Sequence, residues 1–182
     1  MVYVFLADGF EIIEALAPVD MMRRAGIEVK TVGVTGNDFV VSSCSIPVVP
    51  DISIYDFNLT FDAEAIVLPG GGEGTKNLEN SQDVQNAIDN AVNKDIPVCA
   101  ICAAPSVLGH KGLLSGKEAT AYPSFVSELT GAKISDRYVV TDGNIITARG
   151  AGVCIEFGLE IVKKLRGQEV ADRIRDEIQC EK

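Results

Sequence analysis

Short apolar runs alternate along this chain with amphipathic stretches of helical period, and that alternation restricts the possible folds more than any other feature. Val2 to Leu6 reads as a strand ended by Ala7-Asp8-Gly9. Glu11 to Ala25 carries Ile12, Ile13, Leu16, Val19 and Met22 near helical spacing, and Gly26 supplies the stop. Pro18 lies inside that helix, so a kink or a looser turn is expected there. Ile27 to Val34 is a second strand, followed by a Gly-Asn-Asp turn and a hairpin through Val40 to Val49. Ala65 to Leu68 is a continuous apolar run closed by Pro69-Gly70-Gly71-Gly72, as expected of a parallel strand covered on both faces. Ser81 to Val92 is an amphipathic helix, and Ile96 to Ile101 is a buried strand that runs directly into Cys102. Ala103 to Gly109 continues as helix. Strands follow near Ala119-Thr120-Ala121, Tyr138 to Thr141 and Ile145 to Thr147, then helices over Val153 to Leu165 and Glu169 to Ile178.

Strands spaced by helices predict an α/β fold, a mostly parallel sheet with helices on both faces. The 182 residues show no repeat, linker or low-complexity break, so one domain over 1–182 is expected. With 47% hydrophobic residues the core needs no disulfide or structural metal. The apolar runs are too short to span a bilayer, and the first strand has no basic flank or cleavage signal. Five cysteines, an odd number, then point to reduced thiols and a cytoplasmic setting. The 26 acidic against 16 basic residues, a net charge of −10, argue against nucleic acid.

In parallel sheets ligands gather outside the carboxyl ends of the strands. That rule selects three loops: Asp8 to Glu14, Pro69 to Gly74, and Cys102 to Pro105. Cys102, between a buried strand and a helix and followed by the small Ala103 and Ala104, has the form of a nucleophile elbow. The start of the following helix would lower its thiol pKa, and the glycines after Pro69 would bring backbone N–H donors close. The alternative is an inert, buried thiol. Cys99 and Cys102 form a C-x-x-C pair, but three extended steps separate them by about 10 Å. A disulfide needs about 7 Å or less. Zinc is disfavoured too, for want of a second such pair and with one histidine in the chain. That histidine, His110, lies eight residues past Cys102, roughly 12 Å along a helix, so it is not the base of a cysteine protease. Glu11 and Glu14 share one face of the first helix. Glu14 interrupts the apolar surface of Ile13, Leu16 and Ala17, and a carboxyl so placed is raised in pKa and donates to a thiolate when protonated. An exposed charge in the first helical turn is the other reading. The Gly70 to Gly74 loop lacks the pattern of a phosphate cradle.

These loops resemble the ThiJ/PfpI superfamily, in the branch of the parkinsonism-associated protein deglycase and bacterial YajL. The likeness runs through Ala7 to Glu14, Pro18 to Gly26, Val67 to Gly71, Ala100 to Pro105, and Arg149-Gly150-Ala151-Gly152 leading to Glu156-Phe157-Gly158-Leu159. It implies a flavodoxin-like three-layer sandwich, a homodimer and no cofactor. It further implies that Cys102 is the reactive, oxidation-prone cysteine and that Glu14 hydrogen-bonds its sulfur. By the same resemblance the N–H groups of Gly71 and Ala103, with Gly70 beside them, line an oxyanion pocket flanked by Arg149 and Gly152. The chain departs from its relatives in carrying Ala103 where the protease-like branch has histidine, and Tyr122-Pro123 where the deglycase branch often has His-Pro. Cys44 and Ser45 stand where the deglycase has an arginine-rich wall.

The leading reading is a cysteine-dependent enzyme for small reactive carbonyls or their protein adducts. Cys102 would attack, Glu14 would shuttle the proton, and Gly71 and Ala103 would hold the oxyanion. A redox-sensing or chaperone-like protein that oxidises Cys102 without turnover is the second, and an intracellular peptidase the third. The expected partner is thus a small electrophilic carbonyl or an oxidant, with no nucleic acid and no membrane. Met21-Met22 and Arg23-Arg24 are the expected subunit contact.

Overall fold

The structure, a computed structural model, describes residues 1–58 and 63–180. The elements follow in chain order as β1 (Val2–Leu6), α1 (Ile12–Arg24), β2 (Val29–Gly33), β3 (Val40–Val41), β4 (Pro47–Val48), β5 (Ile52–Ser53) and β6 (Ala65–Leu68). Then come α2 (Gly72–Asn80), α3 (Gln82–Asn93), β7 (Val98–Ile101), α4 (Pro105–His110), β8 (Glu118–Ala119) and β9 (Lys133–Ile134). The chain ends with β10 (Val139–Asp142), β11 (Ile145–Ala148), α5 (Cys154–Arg166) and α6 (Gln168–Glu177).

Seven strands form the central sheet in the order β10-β11-β7-β6-β1-β2-β5. Every pairing in it is parallel except β10 with β11. The flavodoxin-like α/β sandwich expected from the sequence is therefore the observed fold. Alternate residues of each strand face opposite layers. Val2, Val4 and Leu6 meet the α1, α5 and α6 side, and Tyr3 and Phe5 meet the α2, α3 and α4 side. Each fully buried Leu or Phe of these two cores contributes about 1.5–3 kcal/mol.

The chain leaves β1 toward β2 on one side and later returns to place β6 on the other. That reversal opens a crevice between the carboxyl ends of β1 and β6, where ligands collect in sheets of this kind. β7 borders it on the far side of β6.

Several local expectations need correction. Helix α1 runs unbroken through Pro18. The missing N–H would have served the Glu14 carbonyl, and the turn is held by packing instead: a Cβ on Gly158 of α5 would stand 2.9 Å from the Pro18 Cα. The core-facing side of α1 is Glu14, Ala15, Pro18, Val19 and Met22, whereas Ile13 is 49% exposed. Met21 and Met22 are buried in the chain's own core and leave almost no surface for a second subunit. Arg23 is engaged by Asp51, and Arg24 by Asp20. The glycine loop after β6 is short, because its second half is already α2, a helix that Gly72 and Gly74 conceal in the sequence.

Candidate active site around Cys102

Cys102 sits immediately after β7 with a left-handed backbone, φ 64°, which is strained for a residue with a side chain. Two hydrogen bonds hold it there. Its N–H donates to the Ala148 carbonyl of β11 at 2.9 Å, and its carbonyl accepts from the Tyr122 N–H at 2.8 Å. The sharp turn expected from the sequence is present, and it aims a half-buried sulfur into the crevice.

Glu14 comes from the first full turn of α1 and has no exposed surface. Glu11 caps that helix, accepting the Glu14 N–H at 2.8 Å. Glu14 Oε2 accepts the Gly70 N–H at 3.0 Å, and the Glu11 N–H donates to the Gly70 carbonyl at 3.0 Å, so the first two loops are stitched together. Glu14 Oε1 is buried without a hydrogen bond of ordinary length. Gly70 must be glycine, since a Cβ there would strike Glu14 Oε2 and lie 2.6 Å from the Cys102 Cβ. Gly71, at φ 92°, is equally confined: its Cβ would meet the Gly9 carbonyl and the Glu11 nitrogen.

The two acids titrate against each other. Burial pushes the Glu14 carboxyl up to about 7; the Cys102 thiol and the N–H groups of Gly70 and Ala151 oppose that rise, and the Glu11 charge reinforces it. Burial, then the Glu14 carboxylate, push the Cys102 thiol up to about 12, while the N–H groups of Gly71 and Ala103 pull it down. Burial and the neighbouring carboxyl thus work against the lowering expected from the following helix. Helix α4 begins three residues later and has six residues, so its dipole is small. The pair gives up one proton near neutrality, and a Cys102 thiolate forms when Glu14 keeps that proton.

The structure therefore brings Cys102, Glu14, Gly70, Gly71 and Ala103 together. Tyr122, Arg149 and Gly152 line an adjoining cleft of about 490 Å³ instead, with Pro123, Tyr138 and the intervening backbone. Nothing lies within 4 Å of a Cβ placed on Gly152, so that position is cleft rim. Gly150 joins the two regions and was not singled out from the sequence. Its Cβ would stand 3.9 Å from both Cys102 Sγ and Glu14 Oε1. The signal lay inside the Arg149–Gly152 segment, but only the fold shows which of its glycines meets the sulfur.

The other cysteines and the histidine are placed elsewhere. All five cysteines are free. Cys99 lies within β7, and burial raises its thiol, as it does that of Cys154 at the start of α5. His110 Nδ1 pairs with Glu79 at 2.6 Å and Nε2 with Glu128 at 3.3 Å, an arrangement that raises its pKa and engages both nitrogens away from the sulfur. Among the described residues, no helix is long and apolar enough to cross a membrane.

Residues 1–164 match the model of the DJ-1/PfpI family. The Parkinson disease protein 7 homolog of Danio rerio is 37% identical over 175 residues, covering 94% of this chain and 93% of that protein. The crystal structure of Drosophila melanogaster DJ-1beta superposes with a TM-score of 0.90 at 34% identity, over 100% of this chain and 98% of that one. Oxidized Toxoplasma gondii DJ-1 gives a TM-score of 0.95 at 31% identity, with the same coverage. The chain belongs to the DJ-1/PfpI family.

Proposed function

We propose that this is a DJ-1-like stress protein whose Cys102 acts on small reactive carbonyls, or on their adducts with proteins, in glyoxalase- or deglycase-like chemistry. The observation that carries the reading is the pairing of the half-buried Cys102 with the fully buried Glu14, a carboxyl raised to a pKa of about 7 beside the thiol. Glu14 takes the thiol proton as sulfur bonds to the aldehyde carbon, and the carbonyl oxygen, held by the Gly71 and Ala103 N–H groups, ends as the hydroxyl of a hemithioacetal. A proton then moves from that carbon to its oxidised neighbour through Glu14. The hydroxyl proton passes to the neighbour's oxygen, so the aldehyde carbon is oxidised to a thioester as the neighbour is reduced to an alcohol, and water cleaves the S–C bond to release the 2-hydroxy acid and return the thiol. Histidine has no part in these steps, in keeping with Tyr122-Pro123 and with His110 held between two glutamates.

Methylglyoxal consumption by parent, Cys102→Ser and Glu14→Gln proteins tests this. Loss in both variants is expected, and consumption by Cys102→Ser at the parent rate overturns the reading. Oxidation of Cys102 without turnover is the second reading, favoured by its partial exposure and by the relative solved in an oxidized form. Intact mass after mild peroxide decides it: selective gain of oxygen, lost in Cys102→Ser, supports it, and no gain at Cys102 counts against it.

A further inference from the structure

The cleft beside the Cys102–Glu14 pair has one charged side chain in its lining, Arg149. This arginine is set up differently from five others in the chain. Arg23, Arg24, Arg137, Arg166 and Arg173 each hold a carboxylate. Among the described residues no carboxylate pairs with Arg149. Its guanidinium carbon stands 5.3 Å from the centroid of the Tyr138 ring, and the Arg149 backbone N–H donates to the Tyr138 carbonyl at 2.9 Å. Stacking on an aromatic face holds a guanidinium in position and leaves its in-plane N–H donors available, and that fork matches a carboxylate. In a chain of net charge −10, an arginine kept clear of carboxylates in an open cleft is a place for an anion from outside.

Gly150 links that cleft to the chemistry. It follows Arg149 directly, and a Cβ on it would meet Tyr122 Cδ2 at 3.4 Å and both Cys102 Sγ and Glu14 Oε1 at 3.9 Å. The cleft floor at Gly150 therefore borders the sulfur and the carboxyl directly. A single guanidinium balances one negative charge, and the lining offers no second cation for a phosphate dianion.

We infer that this cleft is a recognition subsite for a carboxylate on the substrate, so that the preferred electrophile is a 2-oxoaldehyde that also carries a carboxylate close to its reacting carbon. Arg149 binds the carboxylate, Tyr122 and Tyr138 wall the cleft, and the reacting carbon falls on Cys102. The inference rests on Cys102 being the nucleophile proposed above.

Iodoacetate and iodoacetamide test it, because they differ in one charged group and both form an S–C bond at the thiolate with loss of iodide. The readout is the rate of labelling at Cys102, each reagent normalised to its rate with a small free thiol. In the parent the normalised ratio of iodoacetate to iodoacetamide is expected to exceed one, despite the acidity of the protein. It should fall roughly fivefold or more in Arg149→Gln, recover in part in Arg149→Lys, and drop in about 0.5 M salt. Iodoacetamide serves as the internal measure that each variant is folded around a reactive Cys102. A parent ratio below one, or a ratio unchanged in Arg149→Gln, overturns the subsite and leaves the nucleophile standing. Absence of labelling by both reagents removes the nucleophile and the subsite together.

Discussion

Glu14 couples the chemistry of the site to the stability of the fold. Its carboxyl titrates near 4.5 when unfolded and at about 7 when folded. Because the folded value is the higher one, the stability present below pH 4.5 is lost as the pH rises to about 7, a loss of about 3 kcal/mol. Glu14→Gln has no charge to bury. Its urea midpoint should match the parent near pH 4 and exceed it at pH 8, and a variant weaker than the parent at pH 8 would refute this account. Gly70→Ala acts at the same spot by crowding. Its Cβ, 2.6 Å from the Cys102 Cβ, is expected to cost about 2 kcal/mol and to slow iodoacetamide labelling of Cys102.

At the scale of elements the site depends on how α1 meets α5. Gly158 is the contact point, where an added Cβ would lie 2.9 Å from both the Pro18 Cα and the Met21 Cγ. Alanine for glycine in a helix gains about 1 kcal/mol in propensity. Overpacking against a backbone atom that cannot yield costs about 1–3 kcal/mol. Packing wins, so Gly158→Ala should lower stability by about 1 kcal/mol in urea unfolding; a stabilised variant would show that the helices separate freely. The strands and long helices were legible in the sequence because apolar period survives in them. Helix α2 was not, since its two glycines read as loop until Gly71 caps it and Leu78 enters the core. Strands β5 and β9, of two residues each, carry too little pattern to be read at all.

Over the whole molecule, Arg166 at the end of α5 reaches across to Glu64, just before β6, and the Glu64 carboxyl is held down to about 2 by that hydrogen bond first. Here the sign reverses. A lowered carboxylate stabilises above its ordinary pKa of 4.5 and loses the effect as the pH falls through about 2. Screening at this partly exposed pair reduces its worth to about 1 kcal/mol. Glu64→Gln should therefore lose about that much at pH 7, with the difference closing toward pH 2, as followed by thermal unfolding. Taken together, these two carboxyls favour the folded state most where their two windows meet. We also propose a homodimer, formed without the buried Met21 and Met22. Ile13 on α1 and Ile46 and Val49 beside the β3–β4 hairpin are exposed, and the Ser43 N–H ties that hairpin to the Phe10 carbonyl just before α1. Light scattering should give twice the chain mass, falling toward the single mass in Ile13→Asp, and a monomeric parent would end this proposal.

The sequence by itself determined the α/β class, the order of the main elements, the turn that carries Cys102 and the distance that removes His110 from it. Those follow from apolar period and residue spacing, which are properties of neighbours along the chain. Only the tertiary structure decided which face of α1 is buried, that Glu14 rather than Ile13 lies on it, and that Gly150 joins the sulfur to the Arg149 cleft. It also set burial and a neighbouring carboxyl against the helix start in tuning the thiol. The pKa of Cys102 depends on burial and on a carboxyl 88 positions earlier in the sequence (102 minus 14), and these come together only where β1, β6 and β7 end side by side.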